Sequence, residues 1–118
     1  METNEDIRKI ILSDEFSIYY ENLSDTLKNK YTYAMQIIKT QKVVSTKFIK
    51  KIQETEFYEV RVSIGTNEYR TLLIATDNLN FMEATKVVLL NSFLKKDSKQ
   101  YRQEIKKART IIIKEEIV

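Results

Sequence analysis

The chain is expected to fold as an α+β domain: an N-terminal strand and a two-helix hairpin packed on a twisted, mainly antiparallel sheet of about four strands, with a C-terminal helix. Three observations predict this. Alternation of polar and apolar residues runs through FYEVRVSI and resumes after a Gly-Thr break, as in a β-hairpin. Apolar residues recur at helical spacing in two early stretches and in a final one. The length, 118 residues, suits a single compact domain spanning 1–118 that buries a core without staples.

Taken in order, Ile7 to Leu12 is a short β-branched run that reads as an edge or near-edge strand. Ser13 offers an N-cap oxygen, Asp14 and Glu15 suit the positive end of a helix, and Phe16, Tyr19, Tyr20 and Leu23 form its apolar stripe. Ser24 caps a second helix, with Leu27, Tyr31, Ala34, Ile37 and Ile38 on one face. From Thr40 to Glu56 the periodicity weakens, which predicts a connection containing a short helical or extended piece. Strict alternation from Phe57 then predicts a strand with one buried face: Tyr58, Val60, Val62 and Ile64. Gly65, the chain's sole glycine, and Thr66 suit a two-residue type II′ turn.

Tyr69 to Ala75 is the return strand, and Thr76 to Thr85 is a polar loop with Asp77-Asn78 as its turn signal. Val87 to Leu90 is apolar on both faces, as a central strand is. Lys95 and Lys96 stand at the end of that strand. Asp97 or Ser98 is positioned to cap a last helix, whose stripe is Tyr101, Ile105, Ala108 and Ile112. The tail IIIKEEIV ends that helix, adds a strand or stays mobile.

Composition excludes several function classes. Without His or Cys the chain lacks the side chains of most transition-metal sites and of Ser-His or Cys-His triads. It has no Gly-rich phosphate loop, and no cofactor is expected. The apolar runs are far shorter than the roughly 20 residues of a membrane span, so no membrane partner is expected. The acidic opening METNEDIRK does not resemble a signal peptide, and a cytoplasmic location follows as the simplest expectation. Charge is uneven: residues 1–25 are mainly acidic and residues 86–110 mainly basic, which favours a polyanion partner for the later segment.

Register decides what the hairpin can do. With Gly65-Thr66 as the loop, Ser63 pairs with Glu68 and Arg61 lies opposite Arg70. Like charges facing each other destabilise a hairpin, so two arginines there make sense around an anion. Glu59 shares their face. Lys50 and Lys51 before the hairpin and Lys95 and Lys96 after the third strand extend the cationic set. Each position alone is compatible with an ordinary solvated surface, or with lysines that blunt a sheet edge.

At FYEVRVSIGTNEYR, LLNSFLKK and RQEIKKAR the sequence resembles the RelE/HigB superfamily of bacterial toxin-antitoxin toxins, most closely the HigB-like branch. That resemblance implies a RelE-like fold and a ribosome-dependent endoribonuclease that cleaves translated mRNA, held inactive by a helix-turn-helix, HigA-like antitoxin. It implies attack by the ribose 2′-OH on the adjacent phosphate, with no metal. Arg61 and Arg70 then look like the cations that hold the scissile phosphate, and Lys96 like the cation near the leaving 5′ oxygen. Lys50, Lys51, Lys95 and Lys99 would add RNA contacts. HigB-like members often carry His where Asn91 stands. Glu59 is the remaining carboxylate base, with an ion pair to Arg61 as its alternative role. Tyr101 falls near the C-terminal Tyr of members that work without His, and it also begins the apolar stripe of the last helix. A ParE-like inhibitor of a protein target and an inactive, phage-derived RNA-binding accessory protein are the alternatives.

Overall fold

A computed structural model describes residues 5–117, so the first four residues of the acidic opening and the last residue of the tail lie outside it. Strand β1 (Lys9–Leu12) is followed by helices α1 (Asp14–Glu21) and α2 (Asp25–Thr40). Ser13 and Ser24 cap them as expected, their hydroxyls accepting from the backbone N–H of Phe16 and Leu27. Strands β2 (Ile49–Lys51), β3 (Phe57–Ile64), β4 (Asn67–Ala75) and β5 (Lys86–Leu94) follow, then helix α3 (Gln100–Lys114). The sheet has five strands in the order β1-β5-β4-β3-β2 rather than about four. The addition is β2, three residues long in the stretch where periodicity fades. Only the β1–β5 pair is parallel, with Lys9 opposite Lys86.

Helices cover both faces of the sheet. On one side Phe16, Leu27, Tyr31, Ala34 and Ile38 pack on Val60, Val62, Leu73 and Leu89. On the other, Ala108 and Ile111 of α3 pack on Phe57, Leu72, Ile74, Val88 and Leu90. Three expectations are corrected here. β3 is not buried on one face alone, because α3 also covers Phe57 and Glu59. The α3 N-cap is Lys99, without a side-chain cap bond; Asp97 instead accepts from the Lys99 N–H, and Gln100 accepts from the N–H groups of Lys96 and Asp97. β5 also stops at Leu94, so the lysine pair belongs to the following connection.

The hairpin closes through Gly65 and Thr66, with Ile64 opposite Asn67. Gly65 has φ +59°, while Thr66 is not among the positive-φ residues, which fits a type II′ turn. Nothing lies within 4 Å of where a Cβ would stand. The cost of replacing it is therefore conformational: Gly65→Ala should lose about 1 kcal/mol, read as a lower urea midpoint with an unchanged slope. Gly65→Asn should lose less, since Asn tolerates that conformation better.

One buried residue escapes a reading by pattern. Arg8 is 1% exposed, and its guanidinium lies 4.1 Å from the centroid of the Phe81 ring. It donates to the carbonyls of Ile38 (2.9 Å), Gln41 (2.5 Å) and Lys42 (2.6 Å) at the C-terminal end of α2, and to that of Phe81 (3.2 Å). Ile38 lies in the last turn of α2 and Gln41 is its C-cap, where a helix end leaves carbonyls without intrahelical partners at the negative end of its dipole.

Candidate RNA-binding and catalytic site

The alternation that buries Phe57 under α3 carries Glu59, Arg61 and Ser63 outward along the same face of β3, past the N-terminal end of the helix. Opposite them β4 places Leu72, Arg70 and Glu68. Arg61 and Arg70 are therefore a directly facing cross-strand pair. Arg70 in turn neighbours Phe93 of β5. Tyr101, in the first turn of α3, stacks edge-to-face on Phe93 with centroids 5.4 Å apart. That packing aims its hydroxyl at Glu59, to which it donates.

Glu59 is the hub. It is 6% exposed. Its Oε1 takes the Tyr101 hydrogen bond and lies 3.8 Å from Arg70 Nε; its Oε2 lies 3.5 Å from Arg61 Nε. Two guanidinium groups that would repel each other thus share one carboxylate. A second carboxylate, Glu68, closes the outer side, 3.2 Å from Arg70 Nη2 and bonded to the Ser63 hydroxyl at 2.9 Å. Those contacts, the Ser63 bond first, hold its carboxyl below the ordinary range.

The arginines differ in access. Arg70 is 2% exposed, gives Nη1 to the Tyr69 carbonyl, and leaves Nε buried without a hydrogen-bond acceptor. The Arg61 side chain is 28% exposed and donates from Nη1 to the Thr46 carbonyl at 3.0 Å. Arg61 is therefore the more accessible of the two cations.

The lysines separate. Lys50 is exposed and pairs in register with Glu59, so it shares the site's face. Lys51 points to the opposite face, where its ammonium binds the Thr55 carbonyl and lies 5.9 Å from the Tyr58 ring centre. Lys95 and Lys96 are exposed, in a segment anchored by the Lys95 N–H to the Glu68 carbonyl at 2.7 Å. That bond sets the lysine pair at the arginine end of the sheet. Lys99 is exposed at the start of α3 beside Arg102. Asn91 is fully buried; a β-bulge, two residues of β5 opposite Leu72, turns it toward α3, where its amide donates to Glu104. It has no access to the cluster from solvent.

Among these residues Glu68 is the one sequence reasoning left without a role. The signal was present, since Ser63 opposite Glu68 and Arg70 two residues further on place all three on one face.

Burial and then the Glu59 hydrogen bond push the Tyr101 hydroxyl up to about 12. Burial likewise raises Tyr19 and Tyr31, whose hydroxyls lie 3.1 Å apart and continue through Thr71 to Ser92. These three of the seven tyrosines should ionise late in an absorbance titration of phenolate. A phenol raised in the folded state favours folding while protonated. Stability is accordingly intact below the ordinary value of 10.0 and falls as pH climbs through about 12. Seven tyrosines titrating together near the ordinary value would contradict the packing.

A buried carboxylate bridging two arginines and a phenol lies on a sheet between a helical hairpin and a last helix, in a small α+β protein. The chain belongs to the phage-derived Gp49-like family (DUF891), whose model matches residues 19–112. Among solved structures, a double arginine-to-alanine mutant of the E. coli toxin RelE in the free state has the same fold, with a TM-score of 0.60. The match covers 90% of this chain and 98% of that one at 12% identity. No curated protein sequence matches. No helix among the described residues is long and apolar enough to cross a membrane.

Proposed function

We propose that this protein is the toxin of a toxin-antitoxin pair and cleaves translated mRNA on the ribosome. The observation that carries the reading is the facing pair Arg61 and Arg70, held together by Glu59 on a RelE-like sheet. In this reading the 2′-oxygen of one ribose attacks the adjacent phosphorus and the bond to the 5′ oxygen breaks, leaving a cyclic phosphate and a 5′-hydroxyl. Arg61 meets the phosphate and stabilises the charge that develops on it, because a planar guanidinium fork matches two phosphate oxygens. Arg70 reaches the same phosphate once Glu68, on the exposed side, gives up its Nη2. Lys96 supplies the cation on the side of the leaving 5′ oxygen, and Lys50, Lys95 and Lys99 contact flanking phosphates. Lys51, on the opposite face, contributes to RNA binding only as part of the general basic surface.

Glu59 and Tyr101 take narrower roles. A phenol raised to about 12 is protonated at neutral pH, so Tyr101 acts as a donor and not as a base. Both oxygens of Glu59 have partners, which suits a carboxylate that fixes the arginines in place; it takes the 2′-OH proton only if substrate displaces Arg61. A HigA-like helix-turn-helix protein is the proposed antitoxin. The family's phage origin favours one second reading, an RNA-binding accessory protein that does not cut. Induced expression tests the choice: growth arrest with mRNA cut on ribosomes, both lost in Arg61→Ala, supports the nuclease. Arrest that persists in that variant with intact mRNA points to a protein target. Absence of arrest favours the accessory protein.

A further inference from the structure

A second depression opens on the other side of Arg61. It holds about 210 Å³ and is walled by Lys30 and Tyr33 of α2, Lys47 and Phe48 of the segment before β2, and Arg61 and Ser63 of β3. Two facts create it. β2 pairs with β3 only as far as Val60, after which the single bond from Arg61 N–H to the Phe48 carbonyl ends the ladder. Helix α2 then overhangs the uncovered edge with Tyr33, which meets the Phe48 ring edge-to-face at 5.8 Å.

Tyr33 is 61% exposed, so most of its ring is open to solvent at the mouth of the depression. Around it stand three cations: Lys30, Arg61 and Lys47, whose ammonium lies 5.8 Å from the Phe48 ring centre. No carboxylate lines the depression, and among the described residues neither Lys30 nor Lys47 pairs with one. The volume falls below the roughly 300–1,000 Å³ of pockets that enclose a whole drug-sized ligand, and suits one planar ring system. Aromatic faces beside a cationic track are how proteins hold single-stranded nucleic acid, since a base supplies a π-face and its phosphates supply the charge.

The geometry points to a nucleobase subsite: Tyr33 and Phe48 stack one base of a single-stranded RNA whose neighbouring phosphate is held by Arg61. This rests on the reading of the arginine cluster as an RNA site and adds to it a residue, Tyr33, that selects for a base in place of a bare polyanion. Arg61 belongs to both, bonded to Glu59 on one side and to the Thr46 carbonyl on the other.

The test is fluorescence anisotropy at low salt with a short RNA carrying 2′-O-methyl groups, which cannot be cut by 2′-OH attack. A series with one abasic position moved along the strand is measured against wild type, Tyr33→Ala and Arg61→Ala. Expected is about tenfold weaker binding for Tyr33→Ala. One abasic position should cost the wild type a similar factor and cost Tyr33→Ala nothing further, because the lost base and the lost ring are the same contact. Thermal melts of Tyr33→Ala should match wild type, given the exposure of the ring. Unchanged binding by Tyr33→Ala, with binding still lost in Arg61→Ala, overturns the subsite and leaves the RNA reading standing. Failure of wild type to bind any of the RNAs, or its preference for a glutamate-rich peptide over them, overturns the subsite, while cleavage on the ribosome is judged separately by induced expression.

Discussion

Arg61→Ala and Arg70→Ala should both reduce RNA cleavage about 100-fold or more, yet only Arg70→Ala should weaken the fold. Under the proposed mechanism the loss of activity follows from removing a cation that stabilises the charge growing on the phosphate. The difference in stability follows from burial. Arg70 is 2% exposed and lies against Glu59, itself 6% exposed; deleting it leaves a desolvated carboxylate supported by Tyr101 and Arg61 alone. Breaking a buried pair in this way costs about 3 kcal/mol. Arg61 is partly in solvent, and its removal should change the urea midpoint by less than about 1 kcal/mol. Arg70→Lys sharpens the comparison, since it keeps the charge and loses the fork. If Arg61→Ala cleaves as wild type does, the exposed arginine is not the phosphate ligand and the proposed mechanism fails.

The largest stability effect is expected at a residue far from the site. Arg8→Met should lose about 3 kcal/mol or more, measured by urea unfolding. Methionine fills much of the volume and can still lie on Phe81, so the loss isolates the hydrogen bonds to Ile38, Gln41, Lys42 and Phe81. The carbonyls left behind are buried or half-buried acceptors that lose a charged donor. Burial pulls the guanidinium below its ordinary value, and the partners it donates to are backbone carbonyls. A loss below about 1 kcal/mol would show that water substitutes for the arginine.

What the sequence shows and conceals follows from range. Helix caps at Ser13 and Ser24 are local, and so were legible. The Arg61–Arg70 pairing was legible because a two-residue turn at the sole glycine fixes register for the whole hairpin. β2 was legible only as a short helical or extended piece of the connection, because three residues carry no measurable period. The Tyr101–Glu59 bond escaped because it depends on the angle at which α3 crosses the sheet, which no spacing encodes. Arg8 escaped for another reason: its partners are backbone carbonyls, identical at every position in a sequence. The assumption that adjacent lysines act together failed at Lys50 and Lys51, where the pleat sends neighbours to opposite faces.

The parallel pairing of β1 with β5 joins segments that lie far apart in the sequence. Lys9 finds Lys86, and the Ser13 hydroxyl finds the Leu90 carbonyl, only after most of the chain has been synthesised. The hairpin of β3 and β4 is local and can form early, but the sheet edge and the α3 clasp on Glu59 depend on contacts distant in sequence. A growing chain therefore carries Arg61 and Arg70 in register before Tyr101 arrives to organise them.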